Sequence, residues 1–499
     1  MRILMVAAEL APLVKVGGLA DVAGALSREL GRRGHDVRAV LPLYGDLDRE
    51  RLGIRPLAKL PPMAVRTGAG MQDIRWHVAG SGRGTVKIYL VEAGLFARPG
   101  VYTDARGRGF ADSVARAALH CQAALLLPRL LDWPVDVVHA HDAQAAPALV
   151  LRRELWPGRP LPGPAAGVLT IHNLAHQESH DPAAVAELGL PPTLAVYPGL
   201  LEFNGHLNLM KGGILAADRL NTVSPTYARE TVASAEFGRG LEHVLGSRGD
   251  HYRGILNGGE YGTWDPRQDP HLAARYGPDD LAGKARCRRA LARELGLDAP
   301  TDRPLCGFVG RLVDQKGMDL LLPLVDRLAG DGFSFAVLGT GDPALEKAMA
   351  AAALKHPRQV AFRGAFDEGL AHRIYAGSDL FLMPSLFEPC GLSQMYALRY
   401  GTPPLVRRTG GLADTVADWT GGQDGPAAGT GFVFVEPRPD ALLAALRRAE
   451  RAFADPAAWA GLQARGMACD FGWERAAAGY EAMYAEALAA AAGRLADDR

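Results

Sequence analysis

The sequence lacks any uninterrupted apolar run near the roughly 18 residues a membrane helix needs. Its N-terminal stretch RILMVAAE meets Glu9 and then Lys15, too soon for a signal peptide, and reads as a first β-strand. Cysteines are few and scattered: Cys121, Cys287, Cys306, Cys390 and Cys469, with no C-x-x-C pair. Such a set suits a reducing compartment better than a disulfide framework, and the chain is expected to be soluble and cytoplasmic. There is no excess of charge of either sign, 55 basic residues standing against 55 acidic ones. That balance gives no global field for nucleic acid or an anionic membrane, so positive charge for an anionic ligand must be local. Neither H-E-x-x-H nor a Cys/His zinc spacing is present, and no D-x-D stands at a strand end, so no resident metal or cofactor is expected.

What is present is a 499-residue chain, 48% hydrophobic, enough for two or three domains with their own cores. Ile3–Val6 is an apolar strand, followed by a Gly-containing loop and a helix with Leu19, Val22, Ala23, Leu26 and Leu30 on one face. VDVVHA and GVLTIH are further short apolar runs ending at polar clusters, as strands buried on both faces do. The pattern restarts at LCGFVG and continues through FSFAVLG, LFLMPS and PPLVR. This is an α/β chain with two Rossmann-like, doubly wound domains in series, expected to face each other across a cleft. The expected boundaries are 1–250 for the first domain and 251–470 for the second, with a hinge near 245–256. Residues 471–499 form a C-terminal helix expected to pack back on the first domain, and the Gly-rich stretch 421–431 reads as a flexible loop.

Ligands of open α/β sheets bind beyond the C-terminal ends of strands, so those positions are read most closely. Lys15-Val16-Gly17-Gly18 lies between the first strand and helix, where glycines admit a close ligand and a helix N-terminus favours an anion. G-x-G-x-x-G is absent there and the second strand ends without an acidic residue, which argues against a dinucleotide. An ordinary βα turn with a solvated lysine fits this motif equally well. His139-Ala140-His141-Asp142 and Ile171-His172-Asn173 each stand at a strand end. His139 is read as pointing away from His141 and packing, and His141 as the functional histidine. Arg311 and Lys316 share one loop after a strand, a pairing of forked donor and point charge that suits a diphosphate. Glu388 precedes a turn, Cys390-Gly391-Leu392-Ser393, and Gly410-Gly411 opens another turn into a helix, a second anion candidate.

Taken together, KVGGLADV, HAHD, IHNLAHQ, VSPTYARE, RLVDQKG and SLFEPCGLSQMYALRYGTPPLVRRTGGLADTV resemble the bacterial glycogen synthase and plant starch synthase family, in order along almost the whole chain. The resemblance implies the GT-B fold and metal-independent, retaining transfer of glucose from ADP-glucose to the non-reducing end of an α-1,4-glucan such as glycogen, releasing ADP. By the same resemblance Lys15 and Gly18, with Asp21 nearby, line the donor site; His141 lies against the glucose; Arg311 and Lys316 neutralise the diphosphate; and Glu388 holds sugar hydroxyls. The turn Cys390–Ser393 cradles phosphate, Asn257 lies near the sugar, and Phe366 stacks on the base in place of a family tyrosine. Two further departures stand out. Ala143 replaces the usual tryptophan, expected to loosen a wall on the acceptor side, and the usual aspartate after L-N-G is shifted to Gly259-Glu260. Another GT-B transferase with a different base or acceptor is the nearest rival. A non-catalytic glucan-binding protein is the other, but it would display aromatic platforms and lose the charged centre, whereas aromatics are 7% and every charged position stands.

Overall fold

The computed structural model describes residues 1–80, 86–104, 106–154, 161, 165–419, 421 and 428–497. Most of the Gly-rich stretch 421–431 therefore lies outside the described residues. The chain forms two compact units: Met1–Val223 with Ala228–Gly258 and Trp473–Arg499, and Ser224–Tyr227 with Gly259–Gly472.

The first unit is built on a 10-stranded sheet. Arg2–Val6 pairs in parallel with Asp36–Pro42 on one side and Val137–His141 on the other. Lys87–Ala93 extends the first side; Ala166–Ile171, Arg219–Thr222 and Tyr252–Gly254 extend the second, all in parallel. An antiparallel meander, led by Gly70–Ala79, closes the Lys87–Ala93 edge. Numbering the parallel strands along the chain gives the order 3-2-1-4-5-6-7, which reverses direction between Arg2–Val6 and Val137–His141. These strands are apolar because both faces are covered: Leu4, Val6, Val138 and Ala140 lie in one core layer, Ile3, Met5 and Val137 in the other.

The second layer is completed by the C-terminal helix Trp473–Asp497. Its Trp473, Tyr480, Met483 and Tyr484 are buried against the first strands and the helix Gly18–Arg32. Ion pairs of Glu481 with Arg33 and of Glu486 with Arg219 flank that seam. The unit boundary falls at Gly258/Gly259, later than the 245–256 expected, because Tyr252–Gly254 is still a strand of the first sheet.

The second unit holds a 6-stranded, all-parallel sheet. In chain order its strands read 3-2-1-4-5-6, with the reversal between Leu305–Val309 and Leu380–Met383. That is the doubly wound order, and in such sheets the loops at the reversal leave a crevice where ligands bind. Among the described residues no helix is long and apolar enough to cross a membrane.

Candidate active site

In both units the chemistry-bearing motifs fall at this reversal. In the first unit the Lys15–Gly18 loop follows one flanking strand, and His141 ends the other. The loop is organised by a residue that sequence reading passed over. Glu9, 2% exposed, accepts from the backbone N–H of Val16 at 2.5 Å and Gly17 at 2.9 Å, and Tyr102 donates to its other oxygen at 2.6 Å. The turn thus carries an internal carboxylate that takes its Val16 and Gly17 N–H groups. Gly18 is different: a Cβ there would meet nothing within 4 Å, so no intrachain packing demands glycine and the space beside the helix start is open. Lys15 is exposed and pairs with Asp21 at 2.8 Å.

His139, His141 and His172 form one buried group. Residues two apart on a strand point to the same face. His139 therefore does not point away from His141, as the sequence reading had it: their ring centroids are 4.2 Å apart. His141 Nδ1 lies 3.0 Å from His172 Nε2. His141 is wholly buried, and its Nε2 has no hydrogen-bond partner among the described residues. His172, one residue beyond the strand Ala166–Ile171, keeps 9% exposure. Burial depresses both rings, His141 to about 3, so both are neutral near pH 7. Asp142 accepts from the His172 backbone N–H at 2.6 Å, and burial lifts its carboxyl to about 7.

Ala143 is wholly buried in the core of this unit, so its side chain walls no ligand surface. Asn257 is 5% exposed, and its Oδ1 has no hydrogen-bond partner among the described residues. The unit also contains a small pocket, open to solvent, lined by aromatic Tyr44, Phe96 and Tyr102 and by polar Arg116, Gln144 and Glu178.

In the second unit Lys316 and Glu388 meet directly, Nζ to Oε2 at 2.6 Å, and Ser385 donates to the same oxygen at 3.1 Å. The loops that carry them are tied by Leu386 N–H to Gln315 O at 2.9 Å and by Gln315 Nε2 to Phe387 O at 3.2 Å. Gly317 is needed where it stands: its φ is +67° and a Cβ would lie 2.0 Å from Pro384 O. Arg311 is exposed at the end of Leu305–Val309 and makes no ion pair among the described residues. After Glu388 the chain turns through buried Cys390 and through Gly391 and Leu392 into a helix that begins at Ser393 with no side-chain cap. The N–H groups of a helix's first turn have no partner within it.

The Gly410-Gly411 turn has a packing reason for its glycines. Gly411 N–H is already given to Glu388 O at 3.1 Å. A Cβ on Gly410 would fall 1.9 Å from Glu388 O, and one on Gly411 2.2 Å from Cys390 O. These glycines let one turn press on another and so fix the backbone of Glu388. A further brace comes from Ser224–Tyr227, which belongs to this unit: Ser224 Oγ donates to Pro389 O at 2.6 Å and Thr226 Oγ1 to Asp414 at 2.6 Å. Phe366, after the strand Val360–Arg363, is 81% exposed and packs into no core.

Residues 2–247 match the starch synthase catalytic domain family, and residues 296–459 match the glycosyl transferases group 1 family. A glycogen synthase of Anaeromyxobacter dehalogenans (strain 2CP-C) is 48% identical over 97% of this chain and 99% of its own length. The chain belongs to the glycogen and starch synthase family. Glycogen synthase 2 of Geobacter metallireducens, another member, is 43% identical over 97% of this chain and 98% of its own. Among solved structures, the catalytic domain of starch synthase IV from Arabidopsis thaliana, bound to ADP and acarbose, superposes with a TM-score of 0.89 at 32% identity, covering 98% of this chain and 99% of that one. A sucrose-phosphate synthase from Thermosynechococcus elongatus, at 17% identity and TM-score 0.59, shares the fold alone. As a member of this family the protein is a glycosyltransferase of the GT-B fold.

Proposed function

We propose that this glycosyltransferase moves glucose from ADP-glucose to the non-reducing end of an α-1,4-glucan in the cytoplasm, retaining anomeric configuration and using no metal ion. The observation that carries the reading is the Lys316–Glu388 pair at the strand reversal of the second unit, with Arg311 exposed at the same strand end. A nucleotide-sugar diphosphate needs local cations in a chain with no net charge, and Lys316 and Arg311 supply them. The uncapped helix start at Ser393 adds backbone donors for phosphate. Glu388, oriented by Lys316 and Ser385, is an acceptor for sugar hydroxyls.

In the reaction the bond from glucose C1 to the β-phosphate oxygen breaks and its electron pair leaves with ADP. The acceptor hydroxyl oxygen forms the new bond at C1, and its proton passes to the departing diphosphate. Cations on the diphosphate favour that step because its charge grows as the bond breaks. His141 faces the donor glucose: its Nδ1 is engaged by His172 Nε2 at 3.0 Å, and its Nε2 has no partner among the described residues. Asn257, with an unpartnered buried oxygen, is a hydrogen-bond acceptor for the same sugar. Phe366 offers an exposed ring to the adenine. For the acceptor, the pocket of Tyr44, Phe96 and Tyr102 with Arg116, Gln144 and Glu178 combines apolar faces with hydrogen-bonding groups, as a sugar needs. Five free thiols fit the reducing cytoplasm. ADP-bound starch synthase IV supports the choice of base.

The test is incubation with glycogen and either ADP-glucose or UDP-glucose, with and without chelator, following nucleotide diphosphate release and the linkage formed. ADP release that chelator leaves unchanged, with new α-1,4 linkages, is expected. Equal use of both donors, or a rate restored only by Mg²⁺ or Mn²⁺, would refute the corresponding part.

A further inference from the structure

Behind the histidine group lies a chain of buried polar side chains that ends on the C-terminal helix. His139 Nδ1 is 2.8 Å from Tyr484 OH, and His139 Nε2 is 2.7 Å from Thr170 Oγ1. Thr170 Oγ1 is 2.7 Å from Asn221 Oδ1, and Asn221 Nδ2 reaches Thr222 O at 3.1 Å and Tyr480 OH at 3.2 Å. His139, Thr170, Asn221, Tyr480 and Tyr484 are all 0% exposed.

The direction of every bond in this chain follows from one fixed point. A backbone carbonyl only accepts, so the Asn221 atom facing Thr222 O must be the nitrogen. Its oxygen then faces Thr170 and can only accept, so the Thr170 hydroxyl donates to it. With its proton committed, Thr170 Oγ1 accepts from His139, which must carry its proton on Nε2. A buried, neutral His139 then has a bare Nδ1, and the Tyr484 hydroxyl donates to it. His139 is thereby locked in one tautomer and one ring orientation. Its face lies against His141, centroids 4.2 Å apart at 36°, and His141 in turn bonds His172.

We infer that Tyr484 and His139 are positioning residues of the transferase site: the C-terminal helix sets the orientation of His139, and His139 that of His141, which His172 holds from the other side. The inference rests on the reading above that His141 serves the donor glucose. It makes the last helix of the chain a part of the catalytic machinery rather than only a cover for the first sheet. The apolar residues of that helix suffice for packing; a hydroxyl aimed at a histidine nitrogen is what packing alone does not require.

The experiment uses the full chain with ¹⁵N-labelled histidine, assigned by single histidine substitutions. Wild-type His139 is expected as the Nε2–H tautomer. Tyr484→Phe removes one oxygen and keeps the ring. It is expected to shift the His141 and His172 resonances and to lower kcat about ten-fold, with donor KM and ADP affinity within about two-fold of wild type. Wild-type kcat, or unmoved His141 and His172 resonances, would overturn the inference, as would a Nδ1–H tautomer at His139. Should Tyr484→Phe fail to fold, Thr170→Val breaks the chain at its other end and is judged by the same readouts. A wild-type protein that transfers no glucose would sink the functional reading instead, while the tautomer result would still decide whether the chain of bonds runs as stated.

Discussion

Lys316 Nζ and Glu388 Oε2 are 2.6 Å apart, an ion pair between the first and fourth strand ends of the second sheet with both side chains largely sheltered. The pair joins the group suited to diphosphate with the group suited to sugar, so disturbing one disturbs the other. Lys316→Ala is expected to weaken ADP binding and slow turnover, because the diphosphate is charged before the reaction begins. Glu388→Gln should lower kcat by about 10²–10³-fold, roughly 3–4 kcal/mol of barrier, and leave ADP affinity closer to wild type. The double variant should lose less than the sum of the two, as coupled neighbours do. Steady-state kinetics and ADP titration of the three variants check this.

The histidine roles separate in the same way. His141→Ala is expected to lower kcat about 10²–10³-fold while donor KM changes little. His172→Ala, which removes the partner of His141 Nδ1, should act in the same direction through His141, so the double variant should be hardly worse than His141→Ala alone. A His172→Ala enzyme more damaged than His141→Ala would give the sugar-facing role to His172.

Acid sensitivity follows from the buried rings. Burial lowers His120 to about 4 and His141 to about 3, from 6.5 in an open chain. Below pH 6.5 the unfolded chain binds protons that the folded chain refuses. The stability tied to these groups is whole above pH 6.5 and is lost as pH falls toward 4 for His120 and 3 for His141. Asp142 works with the opposite sign. Its folded value of about 7 exceeds 3.8, so its contribution is whole below 3.8 and is lost as pH rises through 7. Urea unfolding at a series of pH values should show the first slope reduced in His120→Gln and the second reduced in Asp142→Asn.

The Gly410 backbone has φ +44° and room for no side chain beside Glu388 O. Gly410→Ala is therefore expected to cost at least about 2 kcal/mol in urea unfolding and to depress kcat by moving Glu388. At Gly18, where a Cβ meets nothing, Gly18→Ala should leave stability nearly unchanged and raise donor KM. Equal destabilisation by the two substitutions would mean that the space beside Gly18 is not kept for a ligand.

Phe366 is exposed and bonded to no core, so its loss should not unfold the protein. Phe366→Ala is expected to raise donor KM several-fold, with kcat held and the urea midpoint unmoved. Phe366→Tyr should behave as wild type or better, since the ring is kept.

By itself, the sequence determined the fold class and where to look. Strands buried on both faces must be short apolar runs, and the polar clusters at their ends mark the loops of the sheet's binding edge. That is why Lys15, Arg311, Lys316 and Glu388 could be picked out from position and charge. What it could not show is which side chains meet. Glu9 and Gly17 are eight residues apart, Lys316 and Glu388 72, His139 and Tyr484 345, and no local pattern announces such pairs. The unit boundary was missed because Tyr252–Gly254 is a strand only by pairing with Arg219–Thr222. At Gly410-Gly411 local sequence shows the glycines but not the Glu388 and Cys390 carbonyls that forbid a side chain there. Which histidines meet was likewise decided by tertiary structure alone, since it takes the pairing of two strands to bring His141 and His172, 31 residues apart, to 3.0 Å between ring nitrogens.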